Sequence, residues 1–420
     1  MKQSIQAARG MRDLLPPETD YFLSLQDLLL KWSNSYGFSY IRLPLVENEK
    51  VFTSSLGQNS DIIEKEMFYL KGKERGEKLV LRPELTAGIM RAYLQNGFHS
   101  LPQPVKLFQI GPAFRKERPQ AGRFREHYQW DLEIIGSAEP INDAQIIQII
   151  DSLFKKLKLK DYIFKINSIG CPACREHYKK KLKSYYQSLN RKLCLDCKRR
   201  LKTNSLRLLD CKNPTCQPFK AKAPESLNYL CKFCQEHFKK VLEYLEEMEI
   251  NYELDHTLVR GFDYYSRTIF EVFFQEQNFA IGGGGRYDYL SKALSTKEIG
   301  AVGAGIGIER LTSVLKMHQV KLSFFKKPNI FIVQISEEAK KAAIKIFELL
   351  RKNNIAVAEN FAKSNLSDQL SLANKLGVKY ALIIGHEELG NENVILRDMK
   401  TGAQENIYWS ELIEKLKDKL

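Results

Sequence analysis

Apolar positions recur at helical spacing over residues 18–36, where Phe22, Leu25, Leu28, Leu29 and Trp32 share one face and Gly37 supplies a stop. Short runs at 39–43, 79–81, 105–114, 128–135, 164–166, 252–259, 268–274 and 278–281 then predict strands. Few of these runs are joined by a helix of the kind a parallel crossover needs. The predicted architecture is therefore α+β, a largely antiparallel sheet flanked by helices. Beyond Lys326, Lys327 and Pro328 the pattern changes: strand 330–334, helix 337–350, strand 356–359, helix 367–376, strand 380–384. This predicts a separate α/β domain of about 90 residues.

With 420 residues and 44% hydrophobic content, the chain can bury two or three cores. Residues 1–17 have no apolar run ahead of their charges and prolines. No stretch reaches the ~18 uninterrupted apolar residues of a membrane span, so a soluble, cytoplasmic protein with no membrane partner is expected. The net charge of +15 suits a polyanionic partner, and also mere solubility. Its distribution says more: residues 171–240 hold 18 Lys and Arg against 5 Asp and Glu, so this stretch supplies 13 of the 15. Residues 329–420 are balanced, 13 against 13.

All eight cysteines lie in the basic stretch, as Cys171/Cys174, Cys194/Cys197, Cys211/Cys216 and Cys231/Cys234. In a reducing compartment such pairs are more often zinc ligands than disulfides, and the first two pairs, 19 residues apart, have the spacing of a zinc ribbon. Reduced thiols filling a small core fit as well. The segment interrupts the strand pattern, which predicts four parts: catalytic-type residues 1–170, an inserted basic cysteine-rich domain 171–240, the resumed sheet 241–322, and the C-terminal domain 329–420.

Two segments could carry chemistry. Residues 114–125 form an arginine-loaded loop between two predicted antiparallel strands. Arginine clamps phosphate because its planar fork donates two parallel hydrogen bonds and keeps its charge. A solvated turn explains the same residues. Residues 303–311 place glycines where backbone approaches something closely, then Arg310 at the start of a predicted helix. Plain helix–strand packing explains those glycines too.

Together, in this order, the two segments resemble motifs 2 and 3 of class II aminoacyl-tRNA synthetases, and residues 37–47 resemble motif 1, which in that family builds the dimer interface. Residues 258–265 (Leu-Val-Arg-Gly-Phe-Asp-Tyr-Tyr) and 81–87 (Leu-Arg-Pro-Glu-Leu-Thr-Ala) are similar to the signature loop and amino-acid-binding turn of bacterial-type histidyl-tRNA synthetases. Residues 8–16 and 283–288 extend the resemblance.

The resemblance implies a histidine–tRNA ligase working as a homodimer: L-histidine is activated with ATP and Mg2+, then transferred to tRNA(His). It places Arg115 and Arg260 on the α-phosphate and the reacting carboxylate, and Arg123, Arg310 and Glu117 on ATP. It places Glu133 and Tyr265 near the imidazole, Glu84, Thr86 and Gln129 near the α-amino group, and Tyr264 along the pocket. Leu85 stands where the family commonly has glycine, and Tyr289 likewise. A carboxylate is already an anionic nucleophile at neutral pH, so no general base is assigned. The inserted domain is implied to approach the acceptor arm, with Lys198, Arg199 and Arg200 as candidate phosphate contacts and structural zinc an open possibility. The C-terminal domain is implied to read the anticodon near residues 363–367. The competing expectation is a histidine-sensing regulatory subunit of an ATP phosphoribosyltransferase.

Overall fold

The computed structural model describes residues 5–55, 62–71, 76–117, 124–275, 279–322 and 328–420. Contacts divide the chain into two compact units, Met1–Leu322 and Ser323–Leu420.

In the first unit the strands run β1 (Ser39–Tyr40), β2 (Val46–Asn48), β3 (Phe68–Tyr69), β4 (Leu79–Leu81), β5 (Val105–Phe114), β6 (Glu126–Ile135), β7 (Tyr162–Ser168), β8 (Tyr252–Leu254), β9 (Ser266–Phe274), β10 (Gly282–Arg286) and β11 (Ala301–Gly307). Eight of them form one sheet in the order β1-β5-β6-β11-β10-β9-β7-β8, and the short β2, β4 and β3 form another. The large sheet is antiparallel throughout its middle and parallel at the edge pairings β1 with β5 and β7 with β8. The β5–β6 hairpin, whose last pair is Phe114 with Glu126, brackets the arginine-loaded segment in sequence; residues 118–123 lie outside the described residues.

Alternation fixes which face of the sheet carries what. Along β6, Trp130, Leu132 and Ile134 turn into the larger apolar core, together with Val302, Ala304 and Ile306 of β11. The helix Pro140–Lys156 seals that face with Ile146, Ile147, Ile149, Ile150, Leu153 and Phe154, all fully buried. Each such side chain contributes about 1.5–3 kcal/mol when removed from water. The opposite face of β6 holds His127, Gln129, Asp131 and Glu133, and their cross-strand partners are mostly glycine: Gly307 opposite Gln129, Gly305 opposite Asp131, Gly303 opposite Glu133.

Three local expectations change. The strand expected at 278–281 lies instead at Gly282–Arg286; residue 278 is outside the described residues, and 279–281 are irregular. The strand expected over 252–259 stops at Leu254, because Asp255 Oδ1 accepts from Thr257 N (2.9 Å) and Thr257 Oγ1 (2.6 Å) and turns the chain. The 39–43 strand is reduced to Ser39–Tyr40.

The zinc-ribbon pairing also changes. From its cap at Cys171 the helix Pro172–Ser188, with Cys174 in its first turn, carries the chain away, about 25 Å for 17 residues. The return helix Lys232–Glu247 begins at Cys231. Cys171 and Cys174 therefore group with Cys231 and Cys234, while Cys194, Cys197, Cys211 and Cys216 form a second group. Around the second group the segment has its own apolar cluster, including Tyr178, Leu182, Tyr186, Leu201 and Leu208.

The second unit holds β12 (Ile330–Gln334), β13 (Val357–Glu359), β14 (Tyr380–Ile384), β15 (Asn393–Asp398) and β16 (Gln404–Tyr408), ordered β13-β12-β14-β15-β16. The run Ile330-Phe331-Ile332-Val333 is buried on both faces, as a strand covered by helices on each side requires. Ile330 and Ile332 meet the helices Glu337–Lys352 and Leu412–Lys419, whereas Phe331 and Val333 meet the helix Leu366–Leu376.

Candidate active site

Over the glycine-bearing face of the large sheet lies a cleft of about 470 Å³ whose walls include Arg115, Glu117, Gln129, Arg260 and Arg310. These cations come from three separate stretches of chain and share one cavity. Arg123 lies outside the described residues.

Each guanidinium is held by backbone or by a carboxylate. Arg115 Nε donates to Pro83 O (2.8 Å), its Nη1 lies 3.7 Å from Glu117 Oε1, and its fork stands 5.6 Å from the Phe262 ring centroid. Arg260 Nη1 donates to Glu271 Oε1 at 2.6 Å, Nη2 to the Tyr265 hydroxyl at 3.5 Å, and the guanidinium stacks 5.3 Å from the Tyr265 ring centroid. Arg310 Nη1 donates to Ala280 O at 2.6 Å. Restrained in this way, the three need little reorganisation to meet an anion. Between them His127 is kept neutral: burial, then Arg115 and Arg310, push its pKa down to about 3.

Beneath the arginines sits an acidic and phenolic nest. Glu84 accepts from the amides of Thr86 (2.8 Å) and Ala87 (2.9 Å), which open the helix Thr86–Gln95. Thr86 Oγ1 donates to Glu133 Oε1 at 2.7 Å, and the Tyr287 hydroxyl donates to Glu133 Oε2. Tyr264 Oη reaches Glu84 Oε2 at 3.5 Å, and its ring lies 4.7 Å from that of Tyr265. The glycines make room for these groups: a Cβ on Gly303 would fall 1.5 Å from Glu133 Oε2, and one on Gly283 would fall 2.8 Å from Arg260 Nη1. Arg82 supports the turn from below, donating to the carbonyls of Pro112 (2.8 Å), Leu43 (3.0 Å) and Pro44 (3.1 Å).

Three buried carboxylates this close cannot all ionise cheaply. Burial, followed by the Asp131 charge, pushes Glu133 well above the ordinary carboxylate range. Burial, followed by Glu84, does the same to Asp131, and burial raises Glu84. Asp131 Oδ1 and Gln129 Oε1 are buried without a hydrogen-bond partner among the described residues. Acceptors left in this condition mark where a cationic donor would be welcomed.

Raised folded-state pKa values mean that the unliganded fold gains from holding these protons below the ordinary carboxylate range and loses that gain as pH climbs through the raised values. A ligand ammonium reverses the balance. Binding of a cationic ligand here is therefore expected to release protons and to tighten as pH rises above the ordinary carboxylate range. Calorimetry in buffers of different ionisation enthalpy measures this; proton uptake would contradict it.

The sequence model described as histidyl-tRNA synthetase matches residues 10–311, and one described as an anticodon binding domain matches 329–419. The histidine–tRNA ligase of Halothermothrix orenii is 41% identical over 98% of this chain and 99% of its own length. The chain belongs to the histidyl-tRNA synthetase family. Among solved structures, the apo histidyl-tRNA synthetase of Staphylococcus aureus superimposes with a TM-score of 0.82 at 29% identity, covering 99% of this chain and 100% of that one. A Bacillus halodurans structure titled as an ATP phosphoribosyltransferase regulatory subunit/histidyl-tRNA synthetase shares the fold, with a TM-score of 0.66 at 21% identity over 91% of this chain and 99% of that one.

Within the histidyl-tRNA synthetase framework, the residues named from sequence fall in three places. Arg115, Glu117, Gln129, Arg260 and Arg310 line the cleft; Glu84, Thr86, Glu133, Tyr264 and Tyr265 form the nest below it. Leu85 is fully buried, in the same apolar cluster as Tyr264, Tyr265 and Tyr287, and is not among the residues that line the cleft. Asp131, His127, Glu271 and Tyr287 are additions. The first two were readable from the alternation of β6, since they share a face with Gln129 and Glu133. Lys212 and Lys220, from the cysteine-rich segment, also line the cleft.

Proposed function

We propose that this chain is a histidine–tRNA ligase: it joins L-histidine to ATP as histidyl-adenylate, releasing pyrophosphate, and passes the histidyl group to the 3′ end of tRNA(His). The observation that carries this reading is the meeting of Arg115, Arg260 and Arg310 in one cleft above a nest of raised-pKa carboxylates.

The carboxylate of histidine attacks the α-phosphorus, and negative charge builds on the phosphoryl oxygens as pyrophosphate leaves. Arg115 and Arg260 take the α-phosphate and the attacking carboxylate, Arg310 and Glu117 the nucleotide. Because the nucleophile is already anionic, position and charge stabilisation suffice. Below, Glu84, Thr86 and Gln129 hold the ammonium, while Glu133 and the phenols of Tyr264 and Tyr265 face the imidazole, serving either ring nitrogen. ATP-bound Mg2+ needs only one or two protein carboxylates, and Glu117 and Glu309 line the cleft with oxygens of that kind. Its chemistry is to neutralise phosphate charge. Histidine-dependent ATP–pyrophosphate exchange, followed by charging of tRNA, tests the assignment; exchange that ignores histidine would overturn it. A purely regulatory, histidine-sensing role leaves the converging arginines and the second unit without a use.

The inserted, basic 171–240 segment is assigned to the acceptor arm, with Lys212 and Lys220 at the cleft wall as its contacts to the tRNA end. Lys198, Arg199 and Arg200 fit less well than their charge implies: Arg200 Nη1 donates to Arg207 O (3.1 Å) and Arg199 lies 3.7 Å from Asp196. Changing Lys212 and Lys220 together to Gln should slow transfer to tRNA, spare exchange, and cut the log–log salt slope of tRNA binding by about 1.4 to 1.8. Unaltered salt dependence in filter binding would remove the assignment. The second unit is assigned to the anticodon, read around residues 360–367. That loop is clamped where Gln334 Nε2 donates to Lys363 O (2.6 Å) and Asn360 O (3.2 Å). Unpaired bases are read by hydrogen bonding and stacking, which suits a charge-balanced domain. Exposed Tyr40 on β1 and Leu45 and Val46 at the start of β2 support a homodimer. Among the described residues no helix is long and apolar enough to cross a membrane.

A further inference from the structure

Each cysteine group presents four sulfurs within 4.8 Å of one another. Cys171 Sγ and Cys174 Sγ are 3.6 Å apart, and Cys194 Sγ and Cys211 Sγ 3.9 Å. Four sulfurs at about 2.3 Å from one tetrahedral Zn2+ stand about 3.8 Å from each other, whereas a disulfide brings two to about 2.05 Å. All eight cysteines are free. The spacing suits a single ion in each group, and a multi-iron cluster would hold its sulfurs farther apart.

The surroundings supply hydrogen-bond donors to the sulfurs, as metal-bound thiolates need. Backbone amides point at the sulfurs: Cys231 N donates to Cys174 Sγ (3.0 Å), Asn213 N to Cys211 Sγ (3.4 Å), Cys194 N to Cys216 Sγ (3.5 Å) and Cys197 N to Cys194 Sγ (3.5 Å). Cys171, Cys194 and Cys231 each cap a helix N-terminus, the end that favours negative charge. A Zn2+ held by four thiolates carries a net charge of about −2. The segment's surplus of 13 cations makes that charge easy to bear.

We propose that the chain holds two structural Zn2+ ions, one on Cys171, Cys174, Cys231 and Cys234 and one on Cys194, Cys197, Cys211 and Cys216, and that the first braces the histidine loop. The two groups do different jobs because of where they sit. The first joins the point where the segment leaves the sheet to the point where it returns, so it closes the neck. One turn beyond Cys171, Arg175 Nη1 donates to Asp263 O and Tyr265 O, both at 2.8 Å. Between Cys231 and Cys234, Phe233 lies 4.8 Å beneath the guanidinium of Arg267, whose amide donates to Gly170 O at 2.8 Å. The neck ion thus fixes both supports of residues 263–267, the continuation of the loop that carries Arg260. The second group lies within the segment and holds its own small core together.

Full-length protein carrying no affinity tag, from cells grown with zinc, should contain two zinc ions per chain by plasma mass spectrometry. Cobalt exchange should give the intense thiolate-to-metal absorption and tetrahedral d–d bands of two sulfur-ligated ions. Cys231→Ser should retain one zinc and raise the histidine KM in pyrophosphate exchange at least fivefold; Cys216→Ser should retain one zinc and leave that KM within twofold of the parent. Zero or one zinc in the parent chain, or disulfides revealed by alkylation and mass analysis without reductant, overturns the two sites. An unchanged KM in folded Cys231→Ser overturns the bracing. The kinetic arm rests on the ligase reading, but the metal count does not, so an inactive protein with two zinc ions would fault only that reading. If a variant does not fold, stoichiometry and the cobalt spectrum of the parent chain decide the sites.

Discussion

Arg260→Ala is expected to lower histidine-dependent ATP–pyrophosphate exchange by about 10²- to 10³-fold, the cost of removing one preorganised donor from a developing oxyanion, about 3–4 kcal/mol. Preorganisation is visible in the side chain's tethers, Glu271 at 2.6 Å and the Tyr265 ring at 5.3 Å, and in the glycine at 283 that leaves it space. The loss should fall on kcat more than on KM for ATP, because the charge on the phosphoryl oxygens grows as the phosphorus is attacked. Arg260→Lys should recover little of it, since a single ammonium cannot keep the tether and still present a planar fork. Folding should survive: Glu271, 23% exposed, stays partly in water when its partner goes. A folded Arg260→Ala protein exchanging at near-parental rate would remove Arg260 from the chemistry.

Much of this arrangement was legible before any coordinates, and the exceptions have physical causes. Strands 79–81, 105–114, 330–334 and 380–384 match their predicted bounds because their β-branched and aromatic runs are bounded by turn residues. Gly282–Arg286 was missed because four glycines in a row have no side chains to show a period, and glycine is normally depleted from strands. It is a strand here because β9 and β11 pair with its backbone on both sides, and its glycines leave room for Arg260 at the cleft. The predicted elements also end at residue 384, whereas an antiparallel pair, Asn393–Asp398 and Gln404–Tyr408, completes the second sheet. In the site, Arg115, Arg260 and Arg310 were named by resemblance, and no local pattern marks them as neighbours. Glu271, Tyr287 and Lys212 join only through tertiary pairing, which a single sequence does not display.

The other large effect concerns choice of substrate. Glu133→Gln preserves size and shape, and the hydroxyls that now donate to Glu133, from Thr86 and Tyr287, can turn so that one of them accepts from the new amide. The fold should therefore be kept, and relief of the repulsion between Glu133 and Asp131 should raise the melting temperature of the unliganded protein. What disappears is the anionic acceptor facing the imidazole. A hydrogen bond to a charged group contributes about 1.5–3 kcal/mol, so the histidine KM should rise about 10- to 100-fold while the KM for ATP stays put. The pH response supplies an independent reading: with one raised-pKa carboxyl gone, fewer protons should be released on histidine binding, and affinity should climb less steeply with pH. A purely structural Glu133 would behave in the opposite way, its replacement lowering the melting temperature and leaving the histidine KM and proton release alone. Stability rising as histidine affinity falls is the pattern expected of a group kept strained for a ligand, and it can be read from one variant by thermal melting, exchange kinetics and calorimetry.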